Sequence, residues 1–355
     1  MALSILYERC VRTRSELIGC EKCIDVCPVD ALELVDGSVV AYLQRCVSCA
    51  LCQASCPTEA IATEFNPLAY LHQAASLDLV ACGDDLPCLG ALSVEEWVML
   101  GAEHPDGVVV STSQCQQCAI AEQAKPLFMQ TLTEADALLR LLGFAGLTIR
   151  EDEPSKKKEP DRRSFFRALA PRKLLDEGMR FAKKLEGEES DLLRLDLSRL
   201  SYKLMREQLI TKRRQVFIEF LAQLPAATEV ATPPLSFTSI KEIDPMACDD
   251  CGFCYKLCPT GALHASRWHD EIRFQQALCV RCHACHDLCD EHGALLMHEV
   301  TTLAGFLRKE PVTLLRQRVK RCIECGAIFK YEGQGDPICP KCVSMDAEAR
   351  ELLGF

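Results

Sequence analysis

The feature that most constrains this chain is a spacing. "CVSCALCQASCP" sets Cys46, Cys49, Cys52 and Cys56 ahead of Pro57 in the pattern C-x2-C-x2-C-x3-C-P. "CDDCGFCYKLCP" repeats it with Cys248, Cys251, Cys254, Cys258 and Pro259. "CVRCHACHDLC" keeps the spacing at Cys279, Cys282, Cys285 and Cys289, with Asp290 where the proline would stand. A fourth, incomplete copy carries Cys20, Cys23 and Cys27 and has Leu17 where its first cysteine would fall. The segments that follow are near copies as well: "CPVDAL", "CPTEAI", "CPTGAL" and a damaged "CDEHGAL". Recurrence of this kind means one structural unit used several times.

The 355 residues include 24 cysteines. Disulfides in an oxidising compartment and thiolate metal ligands in a reducing one are the two physical explanations. "MALSILYERC" is too short and too soon charged for a secretion signal, and no run of about 18 apolar residues suggests a membrane helix. The cysteines therefore read as metal ligands of a cytoplasmic protein without a membrane span. "DRRSFFRALAPRK" looks like a twin-arginine export signal but lies mid-chain with no apolar stretch behind it, and reads as a basic amphipathic helix.

The spacing has a mechanical reason. Three thiolates two residues apart let a tight loop wrap three irons of one cubane, and the next cysteine, turned by proline, points to another. Each motif then needs a partner, and here they come in pairs. Residues 1–65 and roughly 240–300 resemble the bacterial two-cluster ferredoxins. That resemblance implies four [4Fe–4S] clusters. One takes Cys27, Cys46, Cys49 and Cys52. Another takes Cys248, Cys251, Cys254 and Cys289, and a third Cys258, Cys279, Cys282 and Cys285. The fourth takes Cys20, Cys23, Cys56 and one more ligand. Cys10 is the only unassigned cysteine of that block and reads as the missing ligand, with residues 11–19 as a looped insertion. The alternative is a three-iron or water-ligated cluster with Cys10 free. Six of the eight histidines lie between His264 and His298. With all four cysteines present in those motifs, the histidines read as polar neighbours of the clusters rather than as ligands.

The middle block holds Cys82, Cys88, Cys115 and Cys118 and lacks the repeat. "LDLVAC" and "GVVVST" read as buried strands, and "SVEEWVMLGAE" as a helix with Ser93 as N-cap and Glu96 at the capping-box position. The stretch from "CLGALSVEEW" to "DGVVVSTSQCQQC" resembles the delta subunit of methyl-viologen-reducing hydrogenase. This implies a cysteine-ligated [2Fe–2S] cluster; zinc is the alternative. At the end, Cys322, Cys325, Cys339 and Cys342 form C-x2-C-x13-C-x2-C, the pattern of a zinc ribbon. The assigned sets use every cysteine in the chain.

The expected fold is a multidomain α+β chain. Residues 1–65 form a first dicluster module and 66–149 a small α/β domain. Residues 150–235 form a charged linker with helices, 236–300 a second dicluster module, and 301–355 a helix and the zinc ribbon. Within the linker, Leu193, Leu197, Leu200 and Leu204 have helical spacing, as do Phe217, Phe220, Leu221 and Leu224. The formal charge of −11 argues against nucleic acid as a partner, although the segment from Arg162 to Arg214 is basic. No nucleotide-binding glycine loop is present. The leading functional expectation is an electron carrier, a non-catalytic subunit or partner of a larger oxidoreductase. The hydrogenase resemblance points to hydrogenase, formate dehydrogenase or heterodisulfide-reductase-type assemblies. The alternative is a maturation factor for a molybdenum or iron–sulfur enzyme.

Overall fold

The computed structural model describes residues 3–77, 79–83, 85–151, 208–209, 211–224, 231–289, 293–300, 302–331, 333 and 335–345. The charged linker, the Leu193–Leu204 pattern, the twin-arginine look-alike, most of the basic segment, Asp290 and His292 lie outside these residues. What is described is α+β, with six sheets of two or three strands.

The first module begins with β1 (Ser4–Ile5), then α1 (Lys22–Asp25), β2 (Leu32–Val35), β3 (Ser38–Ala41), α2 (Leu51–Ser55) and β4 (Ile61–Ala62). β1 pairs antiparallel with β4, which ties the start of the chain to the end of the second cysteine motif. β2 and β3 form a hairpin turned by Asp36 and Gly37, both left-handed at φ 49° and 77°. Two positive φ values in a two-residue turn match the right-handed twist of the strands.

α3 (Pro67–Ala74) leads into the α/β unit. There β5 (Leu79–Ala81), β6 (Val108–Ser111) and β7 (Leu147–Arg150) run parallel in that order. α4 (Val94–Ala102) and α5 (Ala121–Leu141) make the two crossovers. The expected capping box is present: Ser93 N–H donates to Glu96 Oε2 at 2.7 Å, and Ser93 Oγ accepts from Glu96 N–H. Every residue of α4 is buried, Trp97 completely, because α3, α5 and a later helix enclose it. A helix apolar on nearly all sides is stable only in such a place.

That later helix is α6 (Lys212–Ala222). It was expected within a linker, yet Phe217, Phe220 and Leu221 are buried in the α/β core, joined by Leu303 and Phe306 from beyond the second module. The second module repeats the first: β8 (Ile240–Ile243), α7 (Phe253–Lys256), β9 (Leu263–Ala265), β10 (Glu271–Phe274), α8 (Ala284–Asp287) and β11 (Leu295–His298). β8 pairs with β11, and β9 with β10. β12 (Val312–Arg316), from the segment assigned with the ribbon, adds a third strand beside β10. β13 (Val319–Arg321) and β14 (Ile328–Lys330) form the hairpin of the tail.

Two adjacent arginines on α6 hold these parts together. Arg213 donates to the carbonyls of Ala54 and Cys56 in the first module, both at 2.9 Å. Arg214 donates to the carbonyls of Cys279 at 2.7 Å and Phe237 at 2.6 Å, and pairs with Glu95 of α4 at 3.2 Å. Its guanidinium also lies over the rings of Phe237 and Phe306. Burial pushes the Arg214 guanidinium down from its usual value, and Glu95 opposes that. Removing one partner of a buried, hydrogen-bonded pair leaves the other charge uncompensated. Arg214→Met should therefore destabilise the folded chain by about 3–5 kcal/mol. Urea denaturation followed by circular dichroism measures this, and adding Glu95→Leu to the same chain should recover part of the loss.

Candidate metal and cluster centres

The three complete motifs share one local backbone. The residues on either side of the second cysteine are left-handed: Ser48 and Ala50 (φ 58° and 59°), Asp250 and Gly252 (63° and 74°), Arg281 and His283 (48° and 67°). Only one of the six is glycine, so the others each accept about 1–2 kcal/mol of steric cost. The two reversals roll the loop so that its sulfurs converge. A left-handed residue also follows each of the four motifs, the incomplete one included, at Asp30, Glu59, Gly261 and Gly293. It turns the backbone back toward the sulfur: Ala31 N–H donates to Cys27 Sγ at 3.2 Å, Ala60 N–H to Cys56 Sγ at 3.2 Å, and Leu263 N–H to Cys258 Sγ at 3.4 Å.

The structure distributes the thiols of the two modules as follows. One cavity is lined by Cys10, Cys20, Cys23 and Cys56. A second is lined by Cys27, Cys46, Cys49 and Cys52. In the other module, Cys258, Cys279, Cys282 and Cys285 line a third. Cys248, Cys251 and Cys289 surround Cys254 and repel its ionised form. Burial, followed by neighbouring thiols, pushes Cys23, Cys52, Cys254 and Cys282 up to about 12. Such a group of thiols stays protonated when alone. A cationic iron core removes that penalty and draws the thiolates in, so burial and the aimed N–H groups both fit such a core.

Cys10 sits in its cavity because the loop after it is packed. Val11 and Ile18 are buried against Ala284 and Leu288 of the second module. Gly19 N–H donates to Asp287 Oδ2 at 2.9 Å, and Lys22 Nζ to the Arg281 carbonyl at 2.8 Å. The basic residues near the sulfurs had no signal in the motif pattern beyond their position. Lys22 lies between Cys20 and Cys23. Burial pushes it down, and the Cys20 and Cys282 thiolates partly restore it. Lys241 lies 2.6 Å from His286 Nε2. Burial, then Lys241, hold His286 down at about 4, so this ring is neutral near pH 7.

The middle cysteines lie at the carboxyl ends of the parallel strands, where open α/β sheets present ligand sites. Cys82 follows β5, Cys88 caps the turn Leu89–Ala91, and Cys115 and Cys118 belong to the turn after β6. A hydrogen bond from Cys88 holds Cys82 down at about 7, and the same bond pushes Cys88 up. Cys118 is exposed. Among the described residues, Cys322, Cys325, Cys339 and Cys342 form the one group of three or more His, Cys, Asp or Glu whose ligand atoms lie within 4.8 Å of one another. A tetrahedral ion with Zn–S near 2.3 Å sets its sulfurs roughly 3.8 Å apart, so this quartet has the dimensions of a single-ion site. β13 and β14 flank the first knuckle, and backbone N–H groups led by that of Cys325 hold Cys322 down at about 6.

Comparison with known proteins bears on the cysteine motifs. The 4Fe-4S dicluster domain family matches residues 18–60, and the 4Fe-4S binding domain family matches residues 241–264. The chain carries two 4Fe-4S ferredoxin-type domains. An uncharacterized ferredoxin of Methanocaldococcus jannaschii is 44% identical over 39 residues, 11% of this chain and 26% of that protein. The chain thus spans about a quarter of the length of this curated relative. No solved structure matches. Among the described residues, no helix is long and apolar enough to cross a membrane.

The expectation that Cys10 completes the fourth thiol set is open to a direct test. Cys10→Ser should leave the Cys27, Cys46, Cys49 and Cys52 centre intact. The neighbouring centre should change to a three-iron or oxygen-ligated form, seen by electron paramagnetic resonance as a new signal in the oxidised state. An unchanged spectrum with full iron content would make Cys10 a bystander.

Proposed function

We propose that this chain is an iron–sulfur electron-transfer protein. It would hold four [4Fe–4S] clusters on the four thiol sets of its ferredoxin modules, one [2Fe–2S] cluster on Cys82, Cys88, Cys115 and Cys118, and one zinc in the tail. Bound clusters supply one-electron exchange with little change in geometry. The observation that carries this reading is adjacency. The ionised forms of Cys20 and Cys282 repel each other across the two modules, and those of Cys49 and Cys88 do so between the first module and the α/β unit. Leu51 of α2 also packs in one core with Cys88 and Leu89. Cys20 and Cys282 also border one apolar cluster between the modules, and Cys49 packs against the core that holds Cys88, so the sites lie in series.

Two further features support the metal assignment. The tail quartet is closed to the size of one ion, whereas among the described residues no three of the other thiols come within 4.8 Å of one another. A [4Fe–4S] core, with each iron taking its own thiolate, needs the wider spread. At the middle site the hydrogenase resemblance favours a [2Fe–2S] cluster over zinc. We read the protein as a subunit or partner of a larger cytoplasmic oxidoreductase, of hydrogenase, formate dehydrogenase or heterodisulfide-reductase type. Its immediate partners would be one-electron donor and acceptor proteins. The tight packing of Val11 and Ile18 beside Cys10 gives no support to a loosely held cluster of the kind a maturation factor would release.

Anaerobic metal analysis should find about 18 iron and one zinc per chain. About 16 iron with two zinc would move the middle site to zinc, and about 8 iron in intact protein would remove one ferredoxin module from the scheme. Dithionite should reduce both modules, and reoxidation should release no iron, because each core is held by motifs from both halves of its module. Loss of iron on every cycle would favour the maturation factor.

A further inference from the structure

The nine residues between Cys10 and Cys20 do more than span a gap in the first module. They cross to the second. Ile18 is fully buried and Val11 nearly so, in a small cluster with Ala284 and Leu288 of α8 and its neighbour residue. Cys20, Leu257 and Cys282 close that cluster, so a cysteine from each module stands at its edge. Two hydrogen bonds fix the contact from either side, Gly19 N–H to Asp287 Oδ2 and Lys22 Nζ to the Arg281 carbonyl. The Lys22 ammonium is thus pinned one residue from Cys282 while its own backbone lies between Cys20 and Cys23. It feels the charges of both Cys20 and Cys282.

We propose that the 11–19 loop is the joint that sets one thiol site of each ferredoxin module side by side, and that Lys22 is a positioning residue shared by both. The sites are those of Cys10, Cys20, Cys23 and Cys56 and of Cys258, Cys279, Cys282 and Cys285. This rests on the cluster reading given above. A one-electron exchange across the joint balances without a proton or a ligand change: one site is oxidised by the electron that reduces the other. A fixed cation between them favours the more negative, reduced form of each, and so raises both potentials.

Redox titration of the anaerobic full-length protein, followed by electron paramagnetic resonance, tests this. In Lys22→Gln, two of the four cubane potentials should fall and two should stay. Lys22→Arg, which keeps the charge, should hold both near their original values. Ile18→Asp, which opens the apolar contact, should weaken the magnetic coupling between modules in the fully reduced protein while each module keeps its iron. A fall confined to one cubane, or none at all, in Lys22→Gln overturns the joint, as does unchanged coupling in Ile18→Asp. Failure of the underlying reading looks different: the unmodified chain would then bind no reducible cubanes, and the joint would fall with it.

Discussion

The assembly depends on two neighbouring guanidinium groups. Arg213 and Arg214 follow each other on α6, so their side chains diverge, one toward each ferredoxin module. Both end on the carbonyl of a cysteine, Cys56 in one case and Cys279 in the other. Backbone carbonyls at such turns have no partner in a ladder and must find a donor when buried. A planar guanidinium with five donors can satisfy several at once, and here the two share Glu95 as their counter-charge. The α/β unit thereby serves as the block to which both modules are fastened.

The motif loops were legible in sequence because their spacing is local. A loop of a dozen residues dictates its own shape, and the left-handed pairs at Ser48 and Ala50 or Arg281 and His283 follow from the spacing even without glycine. The strands "LDLVAC" and "GVVVST" and the capped helix between them were legible for a similar reason. What the sequence hid is long-range. Nothing in "RRQVFIEFLAQL" announces that its basic end carries the bonds between modules, and its apolar face reads equally well as a helix lying in a linker. The strand Val312–Arg316 was similarly silent, because a strand that completes another unit's sheet carries no mark of its destination.

The thiol groups also differ in kind, and the charge environment of the sulfurs separates them. In the ferredoxin modules the sulfurs are sunk among apolar residues and each other, so charge on them is expensive until iron arrives. In the tail, Cys322 lies under several backbone N–H groups and ionises readily. The first arrangement would couple folding to a cationic multinuclear core; the second would offer a ready thiolate to a lone dication.

The turn after Cys56 carries one more consequence. All three of its counterparts in the repeat, Asp30, Gly261 and Gly293, accept the same left-handed backbone, and two of them do so with glycine, the residue that bears it without strain. Here the position is Glu59, whose carboxylate accepts the first two amides of α6, those of Lys212 and Arg213, at 2.9 and 2.8 Å. A position that the repeat leaves open for backbone comfort has become a helix cap for a segment some 150 residues away. Restoring glycine there would ease the turn and uncap the helix, so the copies of this repeat are no longer interchangeable: each has been fitted to its own neighbour.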